Sequence, residues 1–383
     1  MAQSASLRKE LGVRDLVLTQ VLFIVGLTWI GVAGTLGPSA AWMTASSWFV
    51  GIATFLILSL MVVVATVGLS VGKWVHNAGG VIMLLIFAVL LALPIVSRLA
   101  GHLREFHPFR TSLPAISLYN LNILGKLGFG ALGGFEYVAI TAGETRSPAR
   151  SITRSVWIAA PIIAIMFVLG TSTVEAFVPP DQIDLVGPLP QVLRVGFGPF
   201  GIASQLVTAA ILLTLAMRLA QTSVAFTGVT RLPMVAGWDR LLPAWFTRLH
   251  ATYRTPVNSI VIVGLLSLLI ALLSLIGVGQ AEAFQLLFNA GGMFYALTYV
   301  VMFSIPLFGL RDVSPRPPLW LRAVAMSGMA MTLLYLALSI FPIIAVASVA
   351  SFALKILSVI VIANAVGVGI FFMAQRRRRR VTS

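Results

Sequence analysis

The sequence predicts an all-α integral membrane protein, and three observations carry the prediction. The chain of 383 residues is 59% hydrophobic and only 10% charged, where a soluble domain carries about 25% charged residues. Its mean hydropathy is +1.01. Its apolar residues gather into runs of about 20, the length a helix needs to cross a hydrocarbon core about 30 Å thick. Water cannot solvate such a surface, so most of the chain belongs in lipid. A net charge of +15 would suggest nucleic acid in a soluble protein. Here the arginines cluster in short segments between apolar runs, so membrane topology accounts for them and no nucleic-acid partner is implied. The chain has no cysteine, which excludes disulfides, thiolate nucleophiles and cysteine metal sites together.

In chain order, residues 1–14 form a polar N-terminus with Arg8, Lys9 and Arg14. The first apolar run, 15–34, is longer than the apolar region of a signal peptide, and many spans follow it, so cleavage is not expected. Further spans are predicted at 48–68, 75–97, 121–142, 154–177, 201–227, 257–278, 283–308, 320–341 and 346–374, about ten in all by the length criterion. Lysine and arginine in short loops set orientation. Arg8, Lys9 and Arg14, Lys73, the loops with Arg146 and Arg150, with Arg231, Arg240 and Arg248, and with Arg311 and Arg316, and the terminal run Arg376 to Arg380 all place both termini in the cytoplasm. The loop with Arg98, Arg104 and Arg110 dissents. The basic tail 375–383 suits anionic lipids of the inner leaflet. A plasma (inner) membrane protein with many spans is expected.

Two of the spans are interrupted. One reads Gly26-Leu27-Thr28-Trp29-Ile30-Gly31-Val32-Ala33-Gly34. The other reads Gly128-Phe129-Gly130-Ala131-Leu132-Gly133-Gly134-Phe135-Glu136. Glycine costs a helix about 1 kcal/mol against alanine, so these clusters predict unwinding. Interrupted spans in corresponding halves point to the binding site of a secondary transporter. Close packing of helices on small residues is the competing reading.

Three stretches together resemble the amino acid–polyamine–organocation (APC) transporter superfamily. They are Gly134-Phe135-Glu136 with Gly143-Glu144-Thr145-Arg146-Ser147-Pro148-Ala149-Arg150; Arg231-Leu232 with Asp239-Arg240-Leu241-Leu242-Pro243-Ala244-Trp245-Phe246, Leu249-His250 and Thr255-Pro256; and Gly72-Lys73-Trp74-Val75-His76-Asn77-Ala78-Gly79-Gly80. The resemblance implies a LeuT-like inverted-repeat transporter fold. It assigns 15–97 to a first repeat, 121–308 to a second and 309–374 to two additional spans. The chain departs from the family by passing from its first span through Gly37-Pro38-Ser39 to a segment similar to the family's fourth. The family's second and third spans are missing, so the N-terminal repeat is truncated. Self-association would cover the face this leaves.

The resemblance further implies that the unwound first and sixth spans hold the carboxylate and amine of a small substrate, an amino acid or related amine. It carries Gly26, Leu27, Thr28, Trp29 and Gly31 onto the first break, and Phe129, Gly130, Ala131, Gly133 and Gly134 onto the second. Exposed N–H groups at a half-helix N-terminus suit a carboxylate, and irregular backbone at membrane depth is tolerated where it lines a cavity. Trp29 has two roles open, as a cap on an apolar substrate side chain or as a packing residue.

Charges within apolar runs are functional candidates by default. Glu136 and Arg218 both qualify, and their pairing in an inner gate is one expectation. Snorkelling of Arg218 to the interface is the other. The coupling ion, H+ or Na+, stays open. Thr222 and Ser223 offer hydroxyls to sodium but compete with bonds to their own backbone, while Glu136 offers a proton carrier. Glu144, Arg146 and Arg150 are read either as gate ion pairs or as a solvated loop. No metal site, cofactor or enzymatic nucleophile–base–acid arrangement is expected. Secondary transport is thus preferred over a non-transporting remnant or scaffold, which the missing spans suggest, and over a passive channel, which needs more polar rings.

Overall fold

The computed structural model describes residues 7–25, 42, 46–103, 115–179, 182, 188–198, 203–273, 280–309, 318–342, 346 and 348–382. The helices in order are α1 (Val13–Ile24), α2 (Ser47–Val67), α3 (Leu69–Leu99), α4 (Leu118–Leu132), a 3₁₀ segment (Phe135–Glu144), α5 (Pro148–Phe177), α6 (Pro188–Phe197), α7 (Ala203–Val229), α8 (Leu232–Trp238), a short 3₁₀ turn (Ala244–Thr247), α9 (Val257–Leu273), α10 (Gln280–Ser304) continued by a π turn (Ile305–Gly309), α11 (Leu319–Leu338) and α12 (Val349–Thr382). Among the described residues the only β pairing is an isolated bridge between Leu11 and Thr145.

Eight helices of the described residues are long and apolar enough to cross a membrane. The other two expected spans, 15–34 and 257–278, run into residues outside the description. Their described parts are α1 and α9. Lipid as the solvent explains the inverted surface. Trp48 and Leu99 are each 84% exposed, and only 6% of the apolar window of α12 is buried inside the molecule.

Helix α3 begins earlier than the apolar run suggests. Helix α2 ends at Val67, and Gly68, at φ +87°, links it directly to α3 at Leu69. A side chain there would meet both a left-handed backbone and Thr255, whose Cγ2 lies 2.7 Å from the position of a Cβ. Lys73, expected in a loop, is therefore helical, in the same helix as His76 and Asn77.

The chain packs as two compact units that cut across its sequence order. Unit 1 comprises 1–111 and 134–269, and unit 2 comprises 112–133 and 270–383. Unit 1 is built around α1, which packs on α3, α5 and α7. Its residues Leu16, Val21 and Leu22 are fully buried, and Gln20 is buried with them. Its start is fixed by Asp15, whose Oδ2 accepts the Gly12 N–H at 2.8 Å. Unit 2 packs α11 on α4 and α10, with α12 against α10. Its core is an aromatic cluster in which Phe129 stacks on Tyr335 at 4.3 Å between ring centroids and meets Tyr299 edge-on at 5.5 Å.

Candidate functional site

The second interrupted segment is broken, but over a shorter stretch than its glycines suggest. Phe129, Gly130 and Ala131 remain within α4, which ends at Leu132. Phe129 is buried in the aromatic core of unit 2. Only Gly133 and Gly134 leave the helix. Gly133 is extended, with φ −90° and ψ 155°, and Gly134 is left-handed, with φ +108°. A 3₁₀ segment then resumes at Phe135. Glycine is required at 134 twice over. The positive φ excludes most side chains, and a Cβ would stand 2.8 Å from Ile24 Cγ1 and 3.2 Å from the Phe23 ring.

That contact places the break. Phe23 and Ile24 are the last residues of α1, and Val25 caps it through its N–H to the Val21 carbonyl at 3.1 Å. The first glycine cluster starts at the next residue. Gly26, Leu27, Thr28, Trp29 and Gly31 lie outside the described residues, so the end of α1 marks where they begin. Gly134 sits against that end.

Side chains from the 3₁₀ segment and α7 build the rest of this corner of unit 1. Tyr137 stacks on Phe23 at 4.0 Å between centroids and 18° between planes. Its hydroxyl donates to the Val224 carbonyl at 3.1 Å and also reaches that of Ala225. Gly228 makes room, because a Cβ there would collide with the Tyr137 ring and hydroxyl. Gln221 Nε2 donates to the Phe23 carbonyl at 3.3 Å, and Arg218 Nη1 donates to Gln221 Oε1 at 3.1 Å. A chain of polar contacts thus runs from Arg218 to a main-chain carbonyl in the last turn of α1. Such carbonyls have no partner within their own helix.

The remaining expected residues are placed as follows. Glu136 lies in the first turn of the 3₁₀ segment. Ion pairs join Lys73 to Glu10 and Arg231 to Glu144, and Arg218 reaches Gln221. Thr222 and Ser223 diverge. Thr222 Oγ1 donates to the Arg218 carbonyl of its own helix at 3.0 Å, and Ser223 Oγ lies 3.2 Å from His76 Nε2 on α3.

The other end of unit 1 holds a buried bidentate ion pair. Arg231 Nε and Nη2 donate to the two Glu144 oxygens at 3.0 and 3.1 Å. Arg231 Nη1 donates to the Thr227 carbonyl and Thr230 Oγ1, each at 3.1 Å. Arg231 is 1% exposed. A guanidinium fork matched to a carboxylate is the geometry in which such a pair is strongest. Across this end lies the N-terminal segment. The Glu10 and Leu11 N–H groups donate to the Glu144 carbonyl at 2.9 and 3.1 Å. Lys9 Nζ donates to the Gly143 carbonyl at 2.6 Å, Arg146 Nε to the Lys9 carbonyl at 3.1 Å, and Arg8 Nη2 to the Thr252 carbonyl at 2.8 Å. Lys73 and Glu10 close it at 2.9 Å. Of the two readings of this loop, Glu144 takes the ion-pair one, whereas Arg146 and Arg150 are exposed.

A model of the amino acid permease family matches residues 16–373. The chain belongs to the amino acid permease family. Membership makes it a multi-pass membrane protein of a transporter family rather than an enzyme. Among curated relatives, the probable agmatine/putrescine antiporter AguD of Lactococcus lactis is 22% identical over 260 residues, 68% of this permease-family chain and 54% of its own length. The low-affinity putrescine importer PlaP of Escherichia coli is 30% identical over 180 residues, 47% of this chain and 38% of its own. Cationic amino acid transporter 6, chloroplastic, of Arabidopsis thaliana is 26% identical over 176 residues, 41% and 27% respectively. The chain spans about half or less of the length of these relatives.

Sequence reasoning found the glycine break but missed Tyr137, Gln221 and His76. Gln221 and His76 were visible as polar residues in helical apolar runs, the same signal that singled out Glu136 and Arg218. Tyr137 gives no such signal, since its ring reads as core.

Proposed function

We propose that this chain is a secondary transporter that moves amino acids or related amines across the plasma membrane by alternating access, with both termini in the cytoplasm. The observation that carries the reading is the seating of Gly134 on the last turn of α1. It brings the break after α4 to the residue where the first glycine cluster begins. Main chain leaves the helix at Gly133 and Gly134, and the glycines of the first cluster predict the same there; main chain so freed offers N–H groups to a carboxylate and carbonyls to an ammonium. In this reading the first-cluster residues Gly26, Leu27, Thr28, Trp29 and Gly31 are those expected to hold the substrate's zwitterion or diamine, together with Gly134. The relatives named for putrescine, agmatine and cationic amino acids favour an amine-bearing solute. We take the proton as the coupling ion, with His76 beside Ser223 as a titratable group buried between helices. In this reading the N-terminal segment and the Glu144–Arg231 pair close the cytoplasmic end.

The truncated first repeat that the family resemblance implies would favour a second reading as a non-transporting scaffold. Uptake of radiolabelled putrescine, agmatine, arginine and neutral amino acids into proteoliposomes separates the two. A carrier gives saturable uptake of some members of the panel and not others, and loses it in Gly134→Ala. A scaffold gives uptake equal to protein-free vesicles for every member.

A further inference from the structure

Helices α1 and α7 pack closely on α3 along two of its glycines. A Cβ on Gly79 would stand 2.9 Å from Leu22 Cδ2 and collide with Ala220, and one on Gly80 would stand 2.9 Å from Leu18 Cβ. One turn earlier on α3, His76 points into this junction. It is 3% exposed, and its Nε2 lies 3.2 Å from Ser223 Oγ on α7. Ser223, Thr227 and Arg231 follow each other at four-residue spacing, so they share one face of α7 and the turn that follows. All three are buried. A file of polar groups therefore leads from His76 to the Glu144–Arg231 pair.

The other charged and polar groups around the junction have partners of their own. On α3, Lys73 holds Glu10 and Asn77 donates to Asp15 Oδ1 at 2.7 Å. On α1, Asp15 also accepts the Gly12 N–H, and Gln20 donates to Ser155 Oγ of α5 at 2.7 Å. On α7, Arg218 holds Gln221, and Arg231 holds Glu144. The 3₁₀ segment contributes Tyr137, whose hydroxyl is on the carbonyls of α7. Arg150 and Arg154 of α5 are exposed, and Glu175 is at its opposite end. The described partner of the imidazole is a neutral hydroxyl.

We propose that His76 is a proton-accepting switch that controls the packing of α3 on α7. The neutral imidazole fits the closed junction and shares one hydrogen bond with Ser223. A proton taken from the aqueous face at the Arg231 end leaves a cation buried without a carboxylate, in the same polar file as Arg231. Burying such a charge is costly, so protonation favours separation of α3 from α7 and entry of water. Loss of the proton closes them again. Histidine is the side chain whose unperturbed charge change lies nearest neutral pH. The switch supplies the transport reading with its proton site, but the packing change is measurable without transport.

The absence of native cysteine allows spin labels at Val71→Cys and Val229→Cys, exposed positions on α3 and α7. Distances between them would be measured in lipid nanodiscs from about pH 8 to about pH 4, a range that extends on both sides of the ordinary histidine pKa of about 6.5. With His76 present, a longer-distance population grows as pH falls. In His76→Gln, which keeps a neutral hydrogen-bonding side chain, it does not grow. In Ser223→Ala, which folds around the same imidazole, its midpoint moves to higher pH because the closed junction has lost the hydrogen bond that only it makes. Distances independent of pH with His76 present, an equal response in His76→Gln, or an unmoved midpoint in Ser223→Ala would each overturn the switch. Substrate exchange at equal pH on both sides is measured on the same protein. Its absence alongside an intact distance response overturns the transport reading and leaves the switch standing.

Discussion

Arg231 and Glu144 show what a single residue contributes here. Both are almost completely buried, and each satisfies the other through two hydrogen bonds. Removing one member leaves an uncompensated buried charge, at a cost of about 3–5 kcal/mol, whereas replacing both by apolar residues of similar volume is often neutral. Arg231→Met and Glu144→Leu are each expected to lower the thermal midpoint in detergent sharply, and the double replacement to recover most of the loss. Lys73–Glu10 makes a control. Its side chains are 18% and 24% exposed, and such a pair contributes about 0–1 kcal/mol, so Lys73→Met should move the midpoint little. Sequence alone did not separate these pairs. Glu136 and Arg218 stand out as charges within apolar runs, while Arg231 and Glu144 sit where loop charges are common. Their partners lie 87 residues apart, and only helix packing decides such a pairing.

Helix α4 and the segment after it illustrate the scale of the element. Glycine frequency announces a break but not its length. Five glycines lie between 125 and 134, yet only Gly133 and Gly134 leave the helix. Phe129 explains why the earlier part stays wound, since its ring is locked among Tyr299, Tyr295 and Tyr335. Truncating a buried Phe costs about 3–5 kcal/mol. Phe129→Ala should therefore lower thermal stability by that order, leaving the substrate preference of the remaining folded protein unchanged in a competition assay. A changed preference would place this side chain at the substrate instead. The apolar runs were enough to locate the helices, because a bilayer demands about 20 apolar residues of each. They were not enough to start α3 at Leu69, since that depends on Gly68 turning the chain without a loop, beside Thr255 from far along the sequence.

At the scale of the molecule, chain order and packing order differ. Each compact unit draws on two separated stretches of sequence, an arrangement no window of sequence reveals. The N-terminal segment is an example with a consequence. Residues 8–11 read as a basic tail, yet they bond to the loop after the 3₁₀ segment, to Lys73 and to the Thr252 carbonyl. In a carrier these contacts hold the cytoplasmic end shut. Arg8→Ala with Lys9→Ala should increase the reaction of a cysteine introduced at Ser223 with membrane-impermeant thiol reagents added from the cytoplasmic side, several-fold over the same cysteine with the segment intact. Equal reactivity would show that the segment does not close that end.

The most direct test of a carrier is counterflow by the purified chain in proteoliposomes. Alternating access predicts that vesicles preloaded with an unlabelled substrate accumulate external labelled substrate transiently above equilibrium, and that Gly134→Ala abolishes the overshoot. A monotonic approach to equilibrium that ignores the preload would contradict a carrier and point to a pore, and no flux above protein-free vesicles would contradict transport altogether.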